Sequence, residues 1–231
     1  MERDLLGERI ALWRDRLSGA GARWGGVSIC AVTKTVDVPD INAAFDAGIR
    51  IIGENRVQEL IKKLPSLNPA FQIHLIGQLQ LNKVKYIVPH IDVVQSVDRV
   101  ALARALSARA AAAGRSIGAL IQVNIAEEPQ KGGVRPDGLD QLIREARHME
   151  GLSLRGLMAI MPLADDPERV RPYFRAMRAL YDRLRDEQGA AFDTLSMGMS
   201  GDCLVAAQEG ATMVRLGTAI FGRRPPQSMS V

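Results

Sequence analysis

The sequence predicts a (β/α)8 barrel, in which eight parallel strands close into a ring that is covered by helices. Short apolar runs rich in β-branched residues alternate with longer amphipathic runs along the chain, a pattern typical of parallel sheets. No linker, low-complexity stretch or composition shift divides the 231 residues, a length that suits one such barrel. Unbroken alternation favours closure over an open sheet, so we expect one domain over residues 1–231.

The apolar runs and the glycines place the individual elements. The expected strands are 27–34, 49–54, 72–77, 91–97, 118–125, 154–160, 193–199 and 212–217. The expected helices are 38–47, 56–64, 81–88, 98–113, 138–149, 167–188 and 201–209, with an additional N-terminal helix at about 3–19. A left-handed helix cap favours glycine, and glycines follow five of these helices: Gly48, Gly114, Gly151, Gly189 and Gly210.

Composition narrows the class of protein. The net charge of +4 comes mainly from arginines scattered along predicted helices, and aromatic residues are few, so no nucleic-acid-binding surface is expected. Cys30 and Cys203 are far apart and form no metal-binding spacing, which indicates free thiols in a reducing compartment. The chain begins with a charged amphipathic helix and has no apolar run of membrane-spanning length. We expect a cytoplasmic protein that does not contact membranes.

Lys34 closes the first apolar run, Val27 to Lys34. Active sites of parallel barrels collect at the C-terminal ends of the strands, where a lysine can form a Schiff base or remain a solvated surface charge. Strand alternation can place Lys34 and Arg215 both inward, on the neighbouring first and last strands. Two cations in one mouth favour an anionic or electron-rich ligand, unless one of them faces outward.

Small and hydroxyl-bearing residues follow the last two predicted strands. The seventh strand leads into Ser200 and Gly201, and the eighth into Gly217 and Thr218. We expect Ser200 or Gly201 to begin the 201–209 helix, whose N-terminus attracts anions. Barrel enzymes often bind phosphate through these two loops. The alternative is a pair of ordinary glycine turns, and a phosphate site is the favoured interpretation.

Three further residues lie near the predicted mouth. Asn55 follows the second strand and can either bind a ligand oxygen or cap the next helix. His74, in the third strand, has no partner at metal-ligand spacing and is expected to be a hydrogen-bonded core imidazole. Lys131 precedes Gly132 and Gly133 in a rim loop, and we expect it to be solvated.

Six segments together are similar to the pyridoxal phosphate homeostasis protein family. The resemblance extends in order over nearly the whole chain, and its last two segments are the most specific. The segments are 31–35, 53–55, 74–77, 156–160, 196–200 and 213–222.

This resemblance implies a fold and a site. The family has a barrel similar to the N-terminal domain of alanine racemase. By resemblance, Lys34 would hold pyridoxal 5′-phosphate as a Schiff base, and Arg215 would face the pyridine nitrogen. Asn55 would lie near the ring, and Ser200, Gly217 and Thr218 would hold the phosphate.

Three rim positions depart from the family pattern. Arg56 occupies a position where tyrosine is common, Gln78 one where proline is common, and Gly201 one where aspartate often follows the serine. None of these changes removes a residue that the resemblance assigns to the cofactor.

The sequence favours a cofactor carrier over an enzyme. Racemases of this fold need a second acid or base, whereas Tyr86, Tyr173 and Tyr181 all lie in predicted outer helices. Arg215 beside the ring nitrogen would also weaken the cofactor as an electron sink. We therefore expect a protein that buffers or delivers pyridoxal phosphate, with apoenzymes that require it as possible recipients.

Two alternatives remain at this stage. One is an amino-acid racemase of low activity. The other is a barrel aldolase or isomerase that acts on a phosphorylated sugar, although Schiff-base aldolases carry their lysine on the sixth strand and 154–160 contains none. No helix shows a surplus apolar face, so a monomer is expected.

Overall fold

Eight parallel strands close into a barrel in the order in which they occur in the chain. A computed structural model describes residues 3–222. The strands are β1 Ser28–Val32, β2 Ile51–Glu54, β3 Gln72–Leu75, β4 Val93–Val97, β5 Ile117–Val123, β6 Leu152–Ala159, β7 Thr194–Met199 and β8 Met213–Leu216. The barrel predicted from the alternating apolar runs is confirmed.

Helices cover the outside of the barrel. They are α1 Arg3–Gly21, α2 Val38–Asp46, α3 Val57–Lys63, α4 Val84–Ile87, α5 Val100–Ala112, α6 Leu139–Ala146, α7 Arg171–Gln188, α8 Cys203–Gln208 and α9 Thr218–Phe221. Short 3-10 helices occur at Ala22–Trp24, Leu64–Ser66, Leu81–Lys83, Pro136–Gly138 and Pro167–Val170. Over residues 3–222, none of these helices combines the length and apolarity that crossing a bilayer requires.

Most predicted elements are found within a few residues of their expected positions, and three differences matter for the site. β1 ends at Val32, so Lys34 lies in the following turn and not in the strand. α8 begins at Cys203, so Ser200 and Gly201 do not start it. α9 was not predicted.

The five glycines predicted to cap helices have φ between 62° and 93°. Gly48, Gly114 and Gly210 follow their helices directly after the C-cap residue, as a left-handed cap requires. The prediction is wrong for Gly151, which does not directly follow α6, and for Gly189, whose ψ of −173° is outside the left-handed region.

Strand register shows which residues face the barrel interior. Cys30 of β1 pairs with Arg215 of β8. Cys30 and Val32 pack in an inner cluster with Ile76 and Met213, whereas the alternating residues of the strands pack against the helices. Arg215 is therefore inward, whereas Lys34 lies in the turn beyond the end of β1 and is exposed.

The barrel interior is partly polar. His74, Gln95 and Ser196 are buried and bonded to one another: Gln95 Nε2 lies 2.8 Å from His74 Nδ1, and Ser196 Oγ lies 2.7 Å from Gln95 Oε1. Burial lowers the pKa of His74 to about 3, and the nearby Arg155 charge adds to this effect. His74 is a neutral, hydrogen-bonded imidazole, as the sequence indicated.

An ion-paired cluster fixes α3 against the barrel wall. Lys63 Nζ lies 2.7 Å from Glu54 Oε1 and 2.7 Å from Glu59 Oε1. Glu54 is fully buried, and its Oε2 has no hydrogen-bond partner among the described residues. Burial raises the pKa of Glu54, although its hydrogen bonds to Lys63 and Thr33 oppose the shift. Lys63 therefore neutralises a carboxylate that water does not reach.

Because His74 is neutral in the folded protein, we expect acid to lower the stability of the fold. The unfolded histidine binds a proton below its ordinary pKa of about 6.5, while the folded one does not until about pH 3. The free energy of unfolding should therefore fall as pH decreases through this window, by about 2 kcal/mol between pH 7 and pH 5 from this group. Urea unfolding of His74→Asn should show a shallower pH dependence, whereas exposed His148→Asn should match the wild type. Equal slopes for all three proteins would contradict a neutral His74.

Removal of the Lys63 charge should destabilise the fold. Lys63→Met leaves Glu54 buried without its cation, which we expect to cost about 3 kcal/mol in the free energy of unfolding at pH 8. The loss should be smaller at pH 5, because Glu54 is more readily protonated there. Exposed Lys62→Met is the matched control and should stay within about 0.5 kcal/mol. Equal effects of the two variants in denaturant titrations would show that the buried pair contributes little.

Candidate functional site

The turn that carries Lys34 lies at the C-terminal mouth of the barrel. The Thr33 carbonyl accepts a hydrogen bond of 2.7 Å from Lys63 Nζ, and the Thr35 N–H donates to Glu59 Oε1 at 2.5 Å. Thr35 has φ of 60°, a conformation that non-glycine residues adopt rarely. Both backbone neighbours of exposed Lys34 are thus held by the α3 cluster. The backbone that carries the Lys34 amine is therefore held in place.

Asn55 directly follows β2, the strand next to β1. Val32 pairs with Gly53, and a Cβ added at Gly53 would lie 2.8 Å from Cys30 Sγ, which places Gly53 inward. Asn55, two residues further on, continues the same face.

The side chain of Asn55 does not cap α3. Arg56 is the N-cap residue, and no side chain makes a capping hydrogen bond there. Asn55 Oδ1 is instead buried without a hydrogen-bond partner in residues 3–222. A buried acceptor left unsatisfied by the protein is typical of a ligand contact.

Arg215 supplies a buried cation. Its side chain donates to Ser196 Oγ at 2.8 Å, to the Ser196 carbonyl at 2.9 Å and to the Ala159 carbonyl at 2.8 Å. Burial lowers the pKa of Arg215 to about 10, while the Cys30 and Asp202 charges oppose the shift. The guanidinium remains charged at neutral pH, and bonds to β6 and β7 fix its orientation.

The turns after β7 and β8 meet. Ser200 Oγ accepts a hydrogen bond from the Ala219 N–H at 3.3 Å. Gly217 is the N-cap of α9 and Thr218 its first residue. The prediction that Ser200 would begin the 201–209 helix is wrong, because Asp202 Oδ1 accepts the Met199 N–H at 2.6 Å and α8 begins only afterwards. Ser200 instead lies against the first turn of α9.

Sequence reasoning missed α9 because four residues are too few for a helical period. The signal that could have indicated it is the run Thr218 to Phe221 between Gly217 and Gly222. Glycine at both ends of a short apolar run is typical of a single helical turn.

Lys131 bridges two rim loops. Its Nζ donates to the Met161 carbonyl at 2.9 Å and forms an ion pair with Glu128. The expectation of a solvated Lys131 is wrong, since this amine bonds to the loop after β6.

The other rim positions are exposed or packed against the same loop. Arg56 and Gly201 are exposed. A Cβ at Gly132 would lie 2.2 Å from Gln78 Nε2, so Gln78 packs closely on the Lys131 loop. Beside this loop, a groove of about 470 Å³ has mostly apolar walls that include Ile160, Leu163 and Met199.

The tyrosines lie away from the mouth, as predicted. Tyr86 belongs to α4, and Tyr173 and Tyr181 belong to α7. Tyr181 is buried, and its hydroxyl donates to the Phe192 carbonyl at 3.2 Å. His74 lies deeper in the barrel than the Lys34 turn, and exposed His90 and His148 follow α4 and α6. These six side chains therefore offer no acid or base beside Lys34.

The mouth thus combines an amine, a buried cation, an unsatisfied amide oxygen and a hydroxyl next to a backbone N–H. They come from the ends of β1, β8, β2 and β7, which closure places around one opening. This set can bind a flat electrophile that carries an anionic group at its far end.

Comparison with known proteins is consistent with this geometry. The sequence model of the family described as alanine racemase, N-terminal domain, matches residues 11–225. The pyridoxal phosphate homeostasis protein of Aquifex aeolicus is 41% identical over 222 residues, 94% of this chain and 97% of that protein. That of Escherichia coli K12 is 37% identical over 229 residues, 95% of this chain and 97% of its own.

Two solved structures have a similar fold. PipY of Synechococcus elongatus with PLP bound has a TM-score of 0.83 and 35% identity, over 94% of this chain and 100% of its own. Alanine racemase of Clostridium difficile has a TM-score of 0.75 at 15% identity, over 97% of this chain but 58% of the racemase. The second likeness shows the fold alone. From its family match and its identity to these relatives over almost its whole length, the chain belongs to the pyridoxal phosphate homeostasis protein family, within the alanine racemase N-terminal domain fold.

Proposed function

We propose that this protein binds pyridoxal 5′-phosphate through Lys34 and acts in its homeostasis, by buffering the cofactor or delivering it, as a single domain. The observation that carries the proposal is the unsatisfied, buried Asn55 Oδ1. Asn55 follows β2, the Lys34 turn follows the neighbouring β1, and Arg215 belongs to β8, which pairs with β1 on its other side. A relative of 35% identity whose structure contains PLP supports it.

The residues at the mouth fit each part of this cofactor. The Ser200 hydroxyl and the backbone of Gly217 and Thr218 suit a phosphate, because hydroxyls and N–H groups at a helix start donate to anions. Asn55 Oδ1 is a buried acceptor without a protein partner in the described chain, and its amide suits the ring hydroxyl. Arg215 suits the pyridine nitrogen, since it can only donate a hydrogen bond.

Arg215 limits the chemistry at this site. Bound pyridoxal phosphate supplies an aldehyde that captures amines and a ring that withdraws electrons. Arg215 is held by three hydrogen bonds and stays charged at neutral pH. A fixed cation disfavours a proton on the adjacent ring nitrogen, so electron withdrawal is weakened. The arrangement favours capture and release over turnover.

The positions of the tyrosines support a carrier. Tyr86, Tyr173 and Tyr181 all belong to outer helices. Racemisation requires a proton donor on the face opposite the lysine. A low-activity racemase is the second candidate, since the fold is shared. Transfer to apoenzymes, a monomeric state and a cytoplasmic location complete the proposal, and the free buried thiols of Cys30 and Cys203 agree with that location.

Borohydride reduction tests the role of Lys34. The purified protein, incubated with pyridoxal phosphate and reduced, should carry one stable adduct on Lys34, which peptide mass spectrometry locates. Lys34→Ala should lose the adduct and bind the cofactor at least about 100-fold more weakly, because the covalent linkage is gone. Exposed Lys62→Ala is the control and should behave as the wild type. A dominant adduct on another lysine would refute the proposal.

Hydrogen exchange at Cα separates the carrier from the racemase. Alanine incubated with the loaded protein in heavy water should exchange its α-proton no faster than about tenfold over free pyridoxal phosphate, because a carrier does not position a second base at Cα. Proton NMR follows the exchange, with free cofactor and Lys34→Ala as controls. Exchange on the scale of enzymes, above about 1 s⁻¹, would favour the racemase.

A further inference from the structure

A continuous chain of hydrogen bonds runs from Arg215 down through the barrel interior. Arg215 Nη1 lies 2.8 Å from Ser196 Oγ, Ser196 Oγ lies 2.7 Å from Gln95 Oε1, and Gln95 Nε2 lies 2.8 Å from His74 Nδ1. All four side chains are buried, the most exposed at 4%. The hydrogen-bond chain links β8 and β7 to β4 and β3, and its step from Ser196 to Gln95 joins residues 101 positions apart.

The orientation of the Gln95 amide sets the direction of this hydrogen-bond chain. Arg215 can only donate, so Ser196 Oγ accepts from it and directs its own hydrogen to a further acceptor. That acceptor is Gln95 Oε1. The amide nitrogen of Gln95 then faces His74, and His74 Nδ1 must carry a lone pair. His74 is thereby assigned as the neutral tautomer with its proton on Nε2.

We propose that Ser196, Gln95 and neutral His74 are positioning residues that hold the Arg215 guanidinium in its orientation at the mouth. This orientation of Arg215 is already present in the protein without cofactor. Any effect of the orientation on pyridoxal phosphate rests on the proposed function, because Arg215 must then face the pyridine ring.

A proton on His74 Nδ1 would disrupt the whole series of hydrogen bonds from His74 to Arg215. Two donors would then face each other, and Gln95 would have to turn its oxygen toward His74. Its amide nitrogen would then point at Ser196 Oγ, which already accepts from Arg215. The Ser196 hydrogen would lose its acceptor, so one change at the lower end alters the partner of Arg215.

His74, at the lower end of the hydrogen-bond chain, can be reached from outside the barrel. His74 lines a cavity of about 550 Å³ formed by the N-terminal ends of the strands, on the opposite side of the barrel from Lys34. Arg155 and Asp193, which lie 2.5 Å apart as an ion pair, also line it. The cavity therefore borders the lower end of the hydrogen-bond chain, on the side of the barrel that faces away from the mouth.

The first experiment measures the histidine tautomer in the unaltered protein. Nitrogen-15 NMR of the cofactor-free protein should show His74 neutral with its proton on Nε2 at pH 7. A proton on Nδ1 would overturn the direction assigned to the chain. This result needs no variant and no bound cofactor.

The second experiment compares two substitutions at the lower end. His74→Asn keeps an acceptor near the Nδ1 position, whereas His74→Leu removes it. In cofactor-free protein, the Arg215 guanidinium N–H signals should exchange with water about tenfold faster in His74→Leu, the factor that corresponds to one lost hydrogen bond. His74→Asn should retain slow exchange. Exposed His90→Leu is the control.

These measurements decide whether His74 positions Arg215 or only fills space in the barrel interior. Unchanged Arg215 signals in a folded His74→Leu, or equal acceleration in His74→Asn, would overturn the proposal. If His74→Leu does not fold, isosteric Gln95→Glu takes its place: its carboxylate should draw a proton onto His74 Nδ1, and an unchanged tautomer would overturn the proposal.

The absorption spectrum of bound pyridoxal phosphate separates the two proposals. A shifted maximum in His74→Leu, restored in His74→Asn, would extend the positioning effect to the ring. Altered Arg215 signals with an unaltered spectrum would retain the positioning role and contradict the placement of Arg215 at the pyridine nitrogen. Failure to bind the cofactor at all would refute the proposed function while the NMR results on the cofactor-free protein stood.

Discussion

The pairing of β1 with β8 is the constraint on which the site depends. It joins the two ends of the described chain and sets Cys30 opposite Arg215. Because side chains alternate along strands, this single register fixes which residues of both strands face inward. It brings the lysine turn after β1 to the same mouth as the hydroxyl and backbone N–H groups after β7 and β8. A shift of one residue in the pairing would turn Arg215 out toward the helices.

Polar side chains that face the inside of the barrel are arranged in two ways. Deep in the interior, Arg215, Ser196, Gln95 and His74 satisfy one another in a chain that leaves little choice of orientation. At the mouth, Asn55 Oδ1 is left without a partner in residues 3–222. A satisfied network adds rigidity, while an unsatisfied acceptor keeps binding capacity for a ligand. The α3 cluster adds a third arrangement, in which buried charges outside the barrel hold the turn that presents Lys34.

Much of the fold followed from local pattern. All eight strands were predicted, because each is a short apolar run bounded by turn residues. The errors fall where local pattern carries little information. Thr33 and Lys34 continue the alternation of β1, yet the strand ends at Val32 because Thr35 adopts φ of 60° and its N–H bonds to Glu59 of α3. α9 is too short for a helical period, and the bond from Lys131 to Met161 joins two loops that are distant in sequence.

The sequence by itself determined the fold class, the family and the identity of the reactive residue types, since strand alternation, glycine caps and motifs are local properties of the chain. Only the tertiary structure decided which side chains bond to one another. Hydrogen bonds such as those from Lys63 to Thr33 and from Ser196 to Gln95 join residues that are distant in sequence and that only the folded barrel brings within 3 Å. Spatial neighbours across a closed sheet leave no periodic trace in the sequence, so the residues that hold Lys34 and orient Arg215 became visible only in the folded chain.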